Sequence, residues 1–319
     1  GGMDPTITDA NLVLGRLNPT GLSGGDIPLS MEASIKAFEG KLLNDLNITL
    51  EESAIGVIEI INQQMIRALR LVSVERGYDP RDFTLLAYGG GGPGHAAEIA
   101  EGIGVRDIII PAHPGVFSAT GLLIADFRKD YKKCLLTEFH EESVSGIKKS
   151  IQKMKISAEN DFFKEGILKS AIRLTCELDL RYTGQSSEIK IPWSENTQSI
   201  MSLFHSRHNE IYGYSSVNDQ IELVNILLTA VGKTNHPDIY HHSEIREFQD
   251  AFYQYRKVFF YNMGWLNTKI YQKKNMSVDM SGSGPAIIEQ YDSTILIPPA
   301  WEFRIDEFNN IHLVKSKNG

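Results

Sequence analysis

The residues best placed to do chemistry form one short run: Gly89, Gly90, Gly91, Gly92, Pro93, Gly94 and His95. A glycine run costs conformational entropy on folding, so its retention needs a reason. Access supplies one, because backbone N–H groups without neighbouring Cβ atoms can approach a ligand closely. Ala96, Ala97, Ile99 and Ala100 follow and continue as a helix. The run therefore sits at a helix N-terminus, where free N–H groups and the dipole favour an anion or a polar ring edge. No Gly-Lys-Ser/Thr follows, which excludes a phosphate P-loop. Gly89, Gly91 and Gly94 fit the dinucleotide pattern G-x-G-x-x-G. The place of its ribose-binding acid, roughly 20 residues on, is held by His113 and Pro114 instead. A tight turn packing helix on strand is the purely structural alternative. His95 and His113 flank the run, and each can donate a hydrogen bond or exchange a proton near neutral pH.

The elements around the run must hold it. Phe83 to Tyr88 is an apolar stretch that reads as a buried strand, and Val105 to Ile110 reads as the next. His113-Pro114 then opens a second helix with Ser118, Ala119 and Gly121 on its first turns. Strand, glycine loop, helix, strand and small-residue helix make an α/β unit with two helix starts on one sheet edge, where a nucleotide lies in open sheets. Upstream, Thr8 or Asp9 is expected to cap a helix from Ala10 to Leu17, and Asp9 and Asn11 are polar site candidates. Residues 18–28 read as loop. Ser30 caps a helix from Met31 to Leu43. Glu51 to Arg76 reads as the longest helix, with Ile58, Ile61, Met65, Leu69 and Val72 on its apolar face and Gly77 at its end. Arg67 and Arg70 fall off that face, either solvated or facing nucleotide phosphate or an acidic surface.

After Asp126 the character changes. Phe127–Thr137, Ala171–Tyr182, Glu188–Ile191 and Leu223–Val231 read as strands, and Glu141–Phe163 and Ser199–Tyr212 as helices. Arg181, Tyr182 and Gln185 could contact a substrate or simply tie a turn. His241-His242 reads as exposed. The final segment, with Gly and Pro turns between short apolar strands, suggests a small sandwich or barrel-like cap.

The 319 residues suffice for two domains, and a net charge of −8 argues against nucleic acid as partner. No apolar run approaches a membrane span, and no signal peptide is visible. Cys134 and Cys176 show no metal spacing and make no disulfide framework, so a reducing cytoplasmic setting is the default. No paired acidic motif or H-x-x-x-H defines a metal site.

LLAYGGGGPGHAAEIAEGIGV and IIIPAHPGVFSATGLLIAD resemble the hydantoinase A / 5-oxoprolinase family, which includes acetone carboxylase β subunits. DLRYTGQSSEIKIP, HSRHNEIYGYS, IELVNILLTAVG and the last 40 or so residues are similar to the family's C-terminal domain. The resemblance implies an α/β fold: part of an actin–Hsp70–sugar kinase-like nucleotide-binding domain over residues 1–130, then an α+β domain rich in short strands over 131–319. It assigns Gly89, Gly90, Gly91, Gly92, Gly94 and His95 to adenosine binding, and Asp9 to a site near phosphates or metal. It implies ATP and Mg²⁺ as cofactors, and a cyclic amide such as 5-oxoproline, hydantoin or N-methylhydantoin as substrate. Phosphorylation of the ring amide oxygen would precede attack by water. A ketone carboxylase component, a non-catalytic scaffold half and a nicotinamide- or flavin-dependent oxidoreductase are the alternatives. A hydantoinase B-type subunit or domain is the implied partner. Gly1 to Asn11 is itself similar to an internal stretch of the family, so a preceding segment is also expected. The family's D-x-G-G-T phosphate turns do not occur in this chain. It is therefore expected to hold adenosine without hydrolysing ATP alone.

Overall fold

The structure is a computed structural model that describes residues 3–43, 47–234 and 251–316. Packing divides the chain into two compact units, Gly1–Leu122 with Asp238–Gly319, and Leu123–Pro237.

The first unit opens with α1 (Ile7–Val13) and α2 (Met31–Phe38), which continues as one π turn to Leu43. Ser30 caps α2 as expected, accepting from Ala33 N–H. The cap of α1 is Thr6, not Thr8 or Asp9. Asp9 is the third helical residue, and its carboxylate reaches back to Thr6 in a capping box. Helix α3 (Leu50–Val72) has the same device in Thr49 and Glu52, and Gly77 takes the left-handed turn after its 3₁₀ extension. Its buried side is Ile55, Ile58, Asn62 and Ile66, whereas Val72, expected inside, is exposed. Helices α1, α2 and α3 pack on one another through Leu14, Phe38, Ala54 and Ile58.

Strand β1 is only Leu85–Leu86, followed by α4 (Gly92–Ile103), β2 (Asp107–Ile110) and α5 (Phe117–Leu123). β1 and β2 are parallel, as a strand–helix–strand crossover demands. The expected buried strand 83–88 is thus shorter. β1 is a sheet edge with a single neighbour, and Phe83, Leu86 and Tyr88 face solvent.

The last third of the chain returns to this unit. It supplies β7 (Phe252–Phe260), β8 (Gly264–Gln272), β9 (Ser281–Ser283), β10 (Ala286–Gln290), β11 (Ser293–Ile297), β12 (Trp301–Ile305) and β13 (Ile311–Lys315), numbered after the strands of the second unit. β13 pairs antiparallel with β2, completing a sheet of order β1-β2-β13-β12-β9, while β11-β10-β8-β7 form another. The final strands thus pack in the same compact unit as the glycine loop. β2 carries Ile108 and Ile110, and Leu313, Ile311 and Trp301 bury them in a common core with Ala96, Ala97 and Ala100 of α4.

The second unit is an antiparallel sheet of order β3-β6-β4-β5, built from β3 (Phe127–Glu138), β4 (Ile172–Tyr182), β5 (Ile189–Pro192) and β6 (Ile221–Gly232). Helices α6 (Ser143–Lys164) and α7 (Thr197–Tyr212) pack against alternate residues such as Leu178, Leu180, Ile226 and Leu228. That period of two is the pattern of a sheet with one covered face. Residues 241 and 242 lie outside the described residues.

Candidate functional site

The glycine run leaves the end of β1 and enters α4. Gly89 sits at φ +86°, where only glycine is unstrained, and its N–H donates to Pro114 carbonyl at 2.7 Å. Gly91 caps the helix and Pro93 occupies its first turn, where a missing N–H costs nothing. A Cβ built on Gly89, Gly91 or Gly92 meets no atom within 4 Å, so this side of the loop is open.

The opposite side is occupied. The β10–β11 hairpin turn docks there: Ser293 Oγ donates to Gly90 carbonyl at 3.1 Å, and Gln290 Nε2 to Ala112 carbonyl at 2.7 Å. The Asp292 carboxylate accepts from Gly115 N–H at 2.8 Å. One of the two expected helix starts thus already holds a protein carboxylate.

Between the hairpin, Gly90 and the loop Leu17–Ile27 lies a cavity of about 470 Å³. A two-way backbone pairing of Leu22 with Ile27 shapes that loop, and Tyr291 Oη, donating to Asp26, ties it to the hairpin. Asn18, Gln272, Lys274 and Glu289 bring polar groups to the cavity wall. Its volume suits a nucleoside-sized ligand.

Glu289 is buried, paired with Arg256 at 2.8 Å, and accepts also from Asn18 Nδ2 at 3.2 Å and Gln272 Nε2 at 2.9 Å. Behind the glycine helix a second polar cluster is buried. Arg16 pairs with Glu98 at 2.8 Å, Asn62 Nδ2 donates to the same carboxylate at 2.7 Å, and His95 Nδ1 lies 2.8 Å from Asn62 Oδ1. Burial keeps His95 below the ordinary histidine range, with Glu98 opposing and Arg16 adding to the effect. A neutral ring then donates its Nδ1–H to Asn62. His95 therefore braces the helix from behind and does not line the cavity. His113 is exposed at the start of the next turn.

Asp9 lies elsewhere in the unit. Thr6 N–H and Thr6 Oγ donate to one oxygen at 2.8 and 2.6 Å, and Ser34 Oγ to the other at 2.5 Å. Burial alone would raise its pKa, but the bonds from Ser34 and Thr6 outweigh it and hold the carboxyl below its usual value. Arg70 donates to Gly102 carbonyl, and Arg67 is exposed. Arg181, Tyr182 and Gln185 belong to the second unit and are engaged there. Arg181 pairs with Glu222, Tyr182 Oη bonds His205 and Ser216 N–H, and Gln185 meets His208 and Tyr214.

Arg16, Asn62, Glu98, Arg256 and Glu289 did not emerge from the sequence. Asn62 carried a signal, as a polar residue four from both Ile58 and Ile66 on an apolar stripe. Arg256 and Glu289 carried none, since their pairing depends on β7 and β10 flanking β8 in one sheet. Among the described residues no group of three or more His, Cys, Asp or Glu side chains can hold a metal ion.

Comparison with known proteins shows the family of the chain. Residues 1–131 match the hydantoinase/oxoprolinase family and residues 137–316 the hydantoinase/oxoprolinase C-terminal domain. The chain is 40% identical to uncharacterized protein MJ0964 of Methanocaldococcus jannaschii, over 98% of this chain and 45% of that one. It is 31% identical to caprolactamase subunit alpha of Pseudomonas jessenii, over 96% and 46%. The crystal structure of the ATP-dependent caprolactamase from that organism superposes with a TM-score of 0.77 at 30% identity, over 99% of this chain and 47% of that one. A nucleotide-free acetone carboxylase superposes at 0.78 with 24% identity, over 97% and 46%, a likeness of fold. The chain thus spans about half the length of these relatives.

Proposed function

Since the chain belongs to the hydantoinase/oxoprolinase family, we propose that it supplies the nucleotide-binding part of an enzyme that uses ATP to open a cyclic amide such as 5-oxoproline or N-methylhydantoin. The observation that carries this reading is Gly90 on the wall of the cavity at the start of α4, with open space where side chains of Gly89, Gly91 and Gly92 would stand. Backbone groups of the loop take the adenosine, as oriented amides at a helix start do. His95 holds the helix in place, and Gly94 lies against the hairpin, where a Cβ would sit 3.5 Å from Thr294 carbonyl. Asp9 is the remaining polar candidate, and it would have to leave its cap to act.

A ring amide is a poor electrophile. Transfer of the γ-phosphoryl group to its oxygen releases ADP and leaves a carbon that water can attack. Loss of phosphate and cleavage of the ring C–N bond then give the open acid. Positioning and charge stabilisation carry such transfers. This chain contributes the nucleotide's fixed position, and the phosphate turns lie outside its sequence. A ketone carboxylase role is the second reading, supported by 25% identity over 97% of the chain to the acetone carboxylase beta subunit of Xanthobacter autotrophicus.

The test is phosphate release by this chain together with the remainder that its relatives possess and a hydantoinase B-type partner. MgATP is supplied with 5-oxoproline, hydantoin, N-methylhydantoin, or acetone and bicarbonate. Release that depends on one ring amide is expected. Release with acetone alone would move the protein to carboxylation, and nucleotide binding without turnover by any complex would leave a scaffold. Failure to bind nucleotide would sink the reading.

A further inference from the structure

We infer that the segment Gly15–Asn18 is a positioning strap that fixes the glycine-loop wall of the cavity to its hairpin wall, anchored by Glu98 on one side and Glu289 on the other. The inference rests on the reading that this cavity takes the nucleotide. Gly15 lies flat on β7 at φ +72°, and a Cβ there would overlap the Lys257 carbonyl. Phe259 N–H donates to Leu14 carbonyl at 2.9 Å, pinning the strap's start.

Two arginines, Arg16 of the strap and Arg256 of β7, tie this line to opposite walls. Arg16 turns toward α4 and pairs with Glu98, whose carboxylate also holds Asn62 and, through it, His95. His95 and Glu98 are one turn apart on the helix that the glycine loop starts, so they fix its rotation. Arg256 comes from β7: its Nε donates to Gly15 carbonyl at 2.9 Å, and its Nη1 to Glu289 at 2.8 Å. Asn18, at the strap's end, closes the circuit on the other Glu289 oxygen.

The chemistry argues for position over stability. Two largely buried ion pairs cost desolvation that apolar packing would avoid, and fixing a register is the best-attested return. Arg16 Nε is buried without a hydrogen-bond partner, a loss accepted to aim the rest of the guanidinium. Both carboxylates are balanced, so the strap adds no net charge to the cavity.

The test uses Glu98→Gln, Glu289→Gln and the double variant in the complete protein. One readout is ADP affinity by calorimetry, the other amide exchange at Gly89–Gly94 without ligand. Each single change is expected to weaken ADP about tenfold, and the double change to fall well short of a hundredfold, because one strap is broken twice. Glu289→Gln is also expected to speed exchange at Gly89–Gly94, across the cavity from the substitution. Glu98→Asp and Glu289→Asp, which keep the charge, should restore part of both signals and stand in where a Gln variant does not fold. Multiplicative losses, with exchange changes confined to the substituted wall, would overturn the strap. If the unsubstituted protein binds no ADP, the nucleotide reading fails, and the exchange result alone decides the strap.

Discussion

Two glycines at neighbouring helix starts show how differently one residue type can be used. Gly91 has open space where its Cβ would stand, whereas a Cβ on Gly115 would lie 2.7 Å from Asp292. Gly91→Val is therefore expected to fold with a melting temperature within a few degrees of the original, yet to weaken nucleotide binding by more than tenfold. Calorimetry beside a thermal scan separates the two, and unchanged affinity would remove the loop from the site. Lys273 makes a prediction of another kind. It is buried, and burial lowers its pKa from 10.5 to about 8, with Asp306 pulling the other way. Between pH 8 and 10.5 the unfolded chain binds a proton that the native state does not, so this group's contribution to stability rises with pH across that window. At pH 7 the buried ammonium costs on the order of 3 kcal/mol. Lys273→Met should stabilise the protein at pH 7 by about 1–3 kcal/mol, with the gain fading by pH 10 in urea titrations. A gain equal at both pH values would mean burial of the charge is not its source.

The helices carry their own test. Gly102 of α4 faces Ile66 of α3 so closely that an added methyl would overlap Ile66 Cδ1. Gly102→Ala gains helix propensity but overpacks, for a net loss of about 1 kcal/mol. Adding Ile66→Val should recover that loss, so the pair should be more stable than the sum of the single effects. Thermal denaturation of the four proteins decides it, and strict additivity would mean the helices simply move apart. Of the caps, Ser30 was read correctly, that of α1 was placed two or three residues late, and Thr49 was not read at all. Thr49-x-x-Glu52 and Ser30 sit where local backbone chemistry demands them. The face of α3 was not legible. Ile61 and Met65 share the helical period with Ile55 and Ile58, and only the arrival of α1 and α4 selects the stripe that includes Asn62.

For the whole chain, the two packing units predict separate behaviour. Residues 123–237, with a core of Phe162, Phe204, Leu178 and Ile226, should fold alone and unfold cooperatively in urea. Removing residues 301–315 should instead unfold the glycine-loop unit, because β2 loses β13 and Trp301 leaves the core. Circular dichroism of both pieces checks this, and a stable glycine-loop unit without those strands would contradict the sheet order. What the sequence by itself determined is what neighbours in the chain decide: the glycine loop between β1 and α4, the Ser30 cap, and the alternation of β4 and β6. These follow from backbone freedom, side chain-to-backbone hydrogen bonds and a period of two or 3.6, all acting over a few residues. Only the tertiary structure decided that β13 completes the sheet of β2, that Asp292 fills the second helix start, and that Arg256 joins Gly15 to Glu289. Those contacts join residues more than 170 apart in the chain, or depend on which strands become neighbours. No local preference encodes them, and burial of the shared core selects them.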